Sequence, residues 1–177
     1  MNFSFTSKSG KKILVREPRI EDLDEALLFI NELVEEDTYI LINKKQTEEE
    51  EKEYLIGLIK SIENKDKLTL FAFVDGKLIA NTGVERQKYR AEHVGLVGIS
   101  VKEGYREDGI GTIMLNKLIQ EARNTLGLKL LTLTVFSNNP RAKNLYHKVG
   151  FKETGVIPKS IYYKGKYIDQ IMMFKEL

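Results

Sequence analysis

A chain of 177 residues, 42% hydrophobic and 31% charged, has the composition of a globular protein long enough to bury a core. Its net charge of +2 gives no strong pull toward nucleic acid or an anionic membrane, and its lack of cysteine excludes disulfides, a thiol nucleophile and a thiolate-bound metal. His93 and His147 alone cannot build a His-rich metal centre, so no metal is expected, and no apolar run reads as a signal peptide or a membrane span, which points to the cytoplasm.

No repeat and no Pro/Gly/Ser-rich linker divides the chain, so residues 1–177 are expected to form one domain. Ile13–Glu17 reads as a short strand closed by Pro18. Ile20, Leu23, Ala26, Leu27, Ile30, Leu33 and Val34 then recur at helical steps. A second helix is predicted from Thr47, with the capping-box pair Thr47 and Glu50 and the stripe Tyr54, Leu55, Leu58, Ile59 and Ile62. Its acidic start, Glu48 to Glu51, is read as a solvated first turn that complements the helix dipole. Leu68–Val74 and Lys77–Glu85 are two strands joined through Asp75-Gly76, a hairpin signal. His93–Val101 is a third, and a helix carrying Ile110, Ile113, Met114, Leu118 and Ala122 follows it.

Leu130–Phe136, apolar and rich in Thr and Val, is the clearest strand of the chain. Asn139-Pro140 opens the next helix, since asparagine caps well and proline suits the first turn. Gly150 closes it, and Phe151–Tyr163 and Tyr167–Phe174 finish as strands around Lys164-Gly165. The sum is a mixed α/β (α+β) fold, a central mixed sheet of about seven strands flanked by about four helices. The lysines from Lys8 to Lys12 are read as solvated.

Between the third predicted strand of this middle group and its helix lies Arg106-Glu-Asp-Gly109-Ile-Gly111. Such a turn presents free backbone N–H groups at a helix N-terminus, and glycine lets an anion come close. A P-loop would need Lys and Ser or Thr after Gly109, where Ile110 and Gly111 stand. A dinucleotide fingerprint would need a third glycine where Met114 stands. What remains is Arg-x-x-Gly-x-Gly. Together with Asn139-Pro-Arg-Ala-Lys-Asn-Leu-Tyr-His-Lys-Val-Gly-Phe151, about thirty residues later, it resembles the GNAT superfamily of N-acetyltransferases, its ribosomal-protein and small-amine branch included. The order of elements resembles that family along nearly the whole chain. Glu107 and Asp108 depart from it, because carboxylates beside a pyrophosphate repel it unless they point to solvent.

The resemblance implies a GNAT-type fold, acetyl-coenzyme A as co-substrate, and acetyl transfer to a primary amine by direct attack in a ternary complex. It further implies that the backbone of Ile99 and Val101 holds pantetheine. Arg106 and the amides of Asp108, Gly109, Ile110, Gly111 and Thr112 would then hold the pyrophosphate, and Asn139 would touch the pantetheine arm. Tyr146 is the expected proton donor to the departing thiolate, and Glu85 or His93 the expected base. Tyr39, Tyr162 and Tyr163 are candidates for the acceptor groove. The acceptor would be a protein N-terminus, a polyamine or another small amine; no nucleic-acid or membrane partner is expected, and the protein would be a monomer or homodimer. A non-catalytic acyl-coenzyme A-binding module, or transfer of another acyl group or to another acceptor, are the alternatives.

Overall fold

The computed structural model describes residues 1–177. At its edge, β1 (Asn2–Thr6) pairs with β2 (Lys12–Arg16). The first strand is an addition to the sequence reading: Phe3 and Phe5 alternate with polar neighbours and pack under the sheet edge. A short 3-10 turn, Ile20–Asp22, leads into α1 (Leu23–Glu35), which buries Ala26, Phe29 and Leu33. The helix α2 (Glu48–Glu63) carries the expected capping box: Thr47 Oγ1 accepts from the Glu50 amide, and the Glu50 carboxylate accepts from that of Thr47.

The acidic start of α2 is only partly solvated. Glu51 lies on the inner face of the helix with Leu55 and Leu58, and is 7% exposed. Burial alone pushes its carboxyl up to about 7, because no protein cation or donor compensates the lost water. Helical spacing dictates this placement, since positions 51, 55 and 58 share one face.

The sheet continues through β3 (Lys67–Val74), β4 (Lys77–Arg86) and β5 (Val94–Val101). After α3 (Ile110–Asn124) come β6 (Leu130–Phe136), α4 (Pro140–Lys148), β7 (Lys152–Tyr163) and β8 (Lys166–Glu176). One eight-stranded sheet results, in the order β1-β2-β3-β4-β5-β6-β8-β7. No helix is long and apolar enough to cross a membrane.

From Leu68 to Val74, β3 is apolar except for the buried Thr69, because both its faces are covered. Phe71 and Phe73 meet α1 residues Ala26, Phe29 and Leu33, whereas Leu70 and Ala72 meet Ile110 and Met114 of α3 on the other face. A third and larger cluster joins Leu115, Leu118, Tyr146 and Val149 to Val84, Val97, Leu131 and Leu133. Thus α1 and α2 lie on one side of the sheet, and α3 and α4 on the other.

All neighbouring strands are antiparallel except β5 and β6, which run parallel across α3. They pair only at Val94↔Leu130, Gly95↔Leu131 and Leu96↔Thr132, and beyond that point they diverge. Gly95 sits where a Cβ would come within 2.5 Å of Val84 Cγ2 and 2.6 Å of Leu128 Cδ1, so the closed end of the wedge needs a residue without a side chain. The open end faces the loop between β5 and α3.

Candidate active site

That loop and the wedge form one cleft of about 730 Å³. Ile99 and Val101 line one lip, Asn139, Ala142 and Leu145 of α4 the other, and Gly109, Gly111 and Thr112 the floor. Gly109 is the N-cap of α3 at φ 84°, a left-handed conformation that glycine adopts without strain, and it supplies no capping side chain. The first bond of the helix runs from the Ile113 amide to the Gly109 carbonyl at 3.2 Å, so the amides of Ile110, Gly111 and Thr112 precede it as free donors. At Gly111 a Cβ would meet Leu145 Cδ2 at 3.0 Å and Ile99 Cδ1 at 3.5 Å, where the two lips approach each other. The arrangement is a positive helix end at the mouth of a slot between two strand edges.

Of the two carboxylates that departed from the family pattern, Asp108 is turned away from the cleft, whereas Glu107 stays among its lining residues, paired with Arg141. The side chain of Asp108 accepts from the Ser9 amide at 2.7 Å and the Ser9 hydroxyl at 2.6 Å. Those bonds from Ser9, with Ser7 and Lys11 nearby, hold its carboxyl below the usual range. Glu107, at φ 64°, lies 3.6 Å from Arg141 Nε and is largely exposed. Arg106 lines the cleft, but its guanidinium is already engaged: Nε donates to the Val101 carbonyl at 2.8 Å, and NH2 lies 3.0 Å from the Glu36 carboxylate. The arginine expected to face a pyrophosphate therefore ties the loop to the end of α1.

Lys8 is exposed, as expected of a solvated lysine stretch, yet it also borders the site. It lines the cleft, and its stem runs within 3.6 Å of the point where a Cβ on Gly109 would lie.

On α4, the Asn139 side-chain oxygen accepts from the Ala142 amide at 3.1 Å, while its Nδ2 has no protein partner; the residue lines the cleft. Tyr146 does not line the cleft; it belongs to the core cluster against which Ala142 and Leu145 pack. It is 6% exposed, its ring packs edge-on against Phe151 at 5.8 Å, and its hydroxyl bonds to no protein group. Burial alone pushes the phenol up to about 12. Beyond Asn139, the rings of Tyr39, Phe136 and Tyr163 meet at 5.1 to 5.7 Å, and the Tyr163 hydroxyl donates to the Asp37 carbonyl at 2.7 Å. This aromatic wall joins the α1–α2 connector to the β7–β8 turn. Tyr162 is not part of it; it packs on Tyr167 and is 69% exposed.

Glu85 and His93 are not brought to this cleft. Glu85 pairs with Leu96, level with the closed seam, and its carboxylate lies 2.9 Å from Lys67 Nζ. His93 precedes β5, where its carbonyl accepts from the Lys129 and Leu130 amides at 2.8 and 3.2 Å. The antiparallel register of β4 and the direction of β5 set both residues at the closed end, whereas the loop is at the open one.

Residues 27–151 match the acetyltransferase (GNAT) family. The chain is 30% identical over 105 residues to the L-amino acid N-acetyltransferase AaaT of Escherichia coli, a match covering 59% of this chain and 65% of that protein, just under two thirds of its length. It is 25% identical over 160 residues to an N-alpha-acetyltransferase of Sulfurisphaera tokodaii, covering 85% and 87% of the two chains. Among solved structures, a GNAT-family acetyltransferase from Streptococcus pneumoniae superposes with a TM-score of 0.83 at 30% identity, over 93% of this chain and 99% of the other. A ribosomal-protein-alanine N-acetyltransferase from Brucella melitensis gives 0.80 at 22% identity, over 92% and 99%, a likeness of fold alone.

Proposed function

The chain belongs to the acetyltransferase (GNAT) family, and from that premise we propose that residues 1–177 act as one domain that moves the acetyl group of acetyl-coenzyme A to a primary amine by direct attack in a ternary complex. The observation that carries this reading is the wedge between β5 and β6 opening onto the free amides of Ile110, Gly111 and Thr112. An extended, amide-bearing arm fits between two strand edges, and its phosphates fit an uncapped helix end floored by glycine. When bound, acetyl-coenzyme A supplies an acetyl group activated as a thioester, with a thiol as leaving group.

Ile99 and Val101 hold the arm through backbone groups, the amides from Asp108 to Thr112 take the pyrophosphate, and Asn139 offers its free Nδ2 to the arm. Arg106 acts here by fixing the loop rather than by a free charge. Tyr146 holds a proton at its phenol oxygen throughout the working pH range, because burial raises it to about 12. Complete transfer of that proton to a thiolate near 8.5 would be uphill by about 5 kcal/mol. The tyrosine therefore serves as a hydrogen-bond donor that is reprotonated, from the nitrogen side, as it gives its proton up.

The acceptor in this reading is an α-amine, either a protein N-terminus or a small molecule. Near pH 7.4 about a fifth of such amines are neutral, against roughly 0.1% of lysine-like amines. A dedicated strong base is then unnecessary, which suits a cleft that neither Glu85 nor His93 lines. The amine approaches from the α1/α2 side, beyond the closed seam, where Gly98 has open space above it. Tyr39 and Tyr163 flank that approach. We read the protein as a cytoplasmic monomer or homodimer.

The test is thiol release from acetyl-coenzyme A by the purified protein, with peptides of defined N-terminus, free amino acids and polyamines as acceptors. Turnover with an α-amine and silence with polyamines is expected. Tight acetyl-coenzyme A binding without turnover on any amine would turn the reading to a non-catalytic acyl-coenzyme A-binding module.

A further inference from the structure

The family match begins at residue 27, so the β1–β2 hairpin lies outside it. Yet the turn of that hairpin is fastened to the anion-binding loop. The Lys8 amide donates to the Asp108 carbonyl at 3.1 Å, and Ser9 holds both oxygens of the Asp108 side chain. Lys11 Nζ donates to the Ser9 hydroxyl at 2.9 Å and so braces the same turn.

The charges around the cleft give this attachment a purpose. Between Val101 and Thr112 the loop carries Lys102 and Arg106 against Glu103, Glu107 and Asp108. Both cations are spoken for by α1: Lys102 lies 2.6 Å from Glu32, and Arg106 3.0 Å from Glu36. The loop thus brings amides but no free positive charge to an anion. Of the five cations lining the cleft, Arg106, Arg141 and Lys164 are paired with Glu36, Glu107 and Asp37, which leaves Lys8 and Lys148 without a carboxylate partner. Only Lys8 runs beside Gly109, at the glycine floor.

We propose that the β1–β2 turn is part of the cofactor site and that Lys8 supplies the cation for the pyrophosphate of acetyl-coenzyme A. This rests on the reading of the cleft given above. The hairpin contributes from a distant part of the chain the charge that an acid-rich loop lacks, and the Ser9–Asp108 bonds hold Lys8 in position. The same bonds turn the Asp108 carboxylate away from the phosphate.

Calorimetric titration of the full chain with acetyl-coenzyme A tests this. Lys8→Met is expected to weaken binding about ten-fold, and Lys8→Arg to stay within about three-fold of wild type. The Lys8→Met deficit should shrink as ionic strength rises, while the melting temperature stays that of wild type. It should persist with 3′-dephospho-acetyl-coenzyme A, which keeps the pyrophosphate. Equal binding by wild type and Lys8→Met overturns the proposal and leaves the acetyltransferase reading intact. So does a deficit that vanishes with the dephospho analogue, since the contact would then be to the 3′-phosphate. Failure of the wild type itself to bind acetyl-coenzyme A would overturn both.

Discussion

Replacing Glu51 by glutamine should stabilise the protein, and by an amount that depends on pH. The native carboxyl sits at about 7 against an ordinary 4.5, so between those values the folded chain holds a proton that the unfolded chain has released. Stability therefore falls as pH rises through that window, and the loss is complete above it. Taken at full value the shift corresponds to a penalty below about 0.5 kcal/mol at pH 4.5, growing to about 3 kcal/mol at pH 8. Rotation of the carboxyl toward water would reduce the upper figure, so it is a ceiling. Glutamine has the shape of the protonated acid and removes the titration. Urea unfolding of both proteins from pH 4.5 to 8 measures the effect, with the variant gaining steadily and ending about 2 to 3 kcal/mol ahead, or roughly 4–10 °C in melting temperature. A difference that does not change with pH, or a variant less stable at pH 8, would refute the argument that Glu51 is buried without a partner.

Tyr146→Phe should lower kcat by at least about a hundred-fold while leaving acetyl-coenzyme A affinity within two-fold, as read by steady-state kinetics beside calorimetry. Gly95→Ala should destabilise by about 2–3 kcal/mol in denaturant titration, because its new methyl meets Val84 and Leu128 inside ordinary contact distance. Tyr163→Phe loses the bond to the Asp37 carbonyl, worth about 1 kcal/mol, and should raise the KM for the amine more than that for acetyl-coenzyme A.

What could be read from the residues was local in character. Leu130–Phe136 was legible to the residue because both its composition and its length point to a covered strand. The Thr47–Glu50 and Asn139 caps were legible because capping is decided within four residues. The cleft's loop and its α4 lip were found by two short motifs. β1 was missed because five residues with two phenylalanines give too weak an alternation to register. Glu85 and His93 were judged by their nearness in sequence to β5, whereas register, which no local pattern prints, sets them at the seam's closed end. The Ser9–Asp108 clamp joins groups 99 positions apart, and nothing near either residue announces the other. Glu51 was hidden for a similar reason. It stands in a run of four glutamates, and only the packing of α2 on the sheet distinguishes it from the three that face water.

The divergence of β5 and β6 leaves two unpaired edges in the interior of a sheet, from Val97 to Val101 on one strand and Leu133 to Phe136 on the other. A ligand held along such edges is recognised by peptide groups, which every amino acid except proline carries intact. An alanine scan would consequently pass over Ile99 and Val101 and record little beyond lost packing, with the binding surface still whole. Proline, or an ester in place of the amide, is the replacement that makes these positions visible. The side chains here are thus free to vary for the sake of the core, while the contact they flank stays the same.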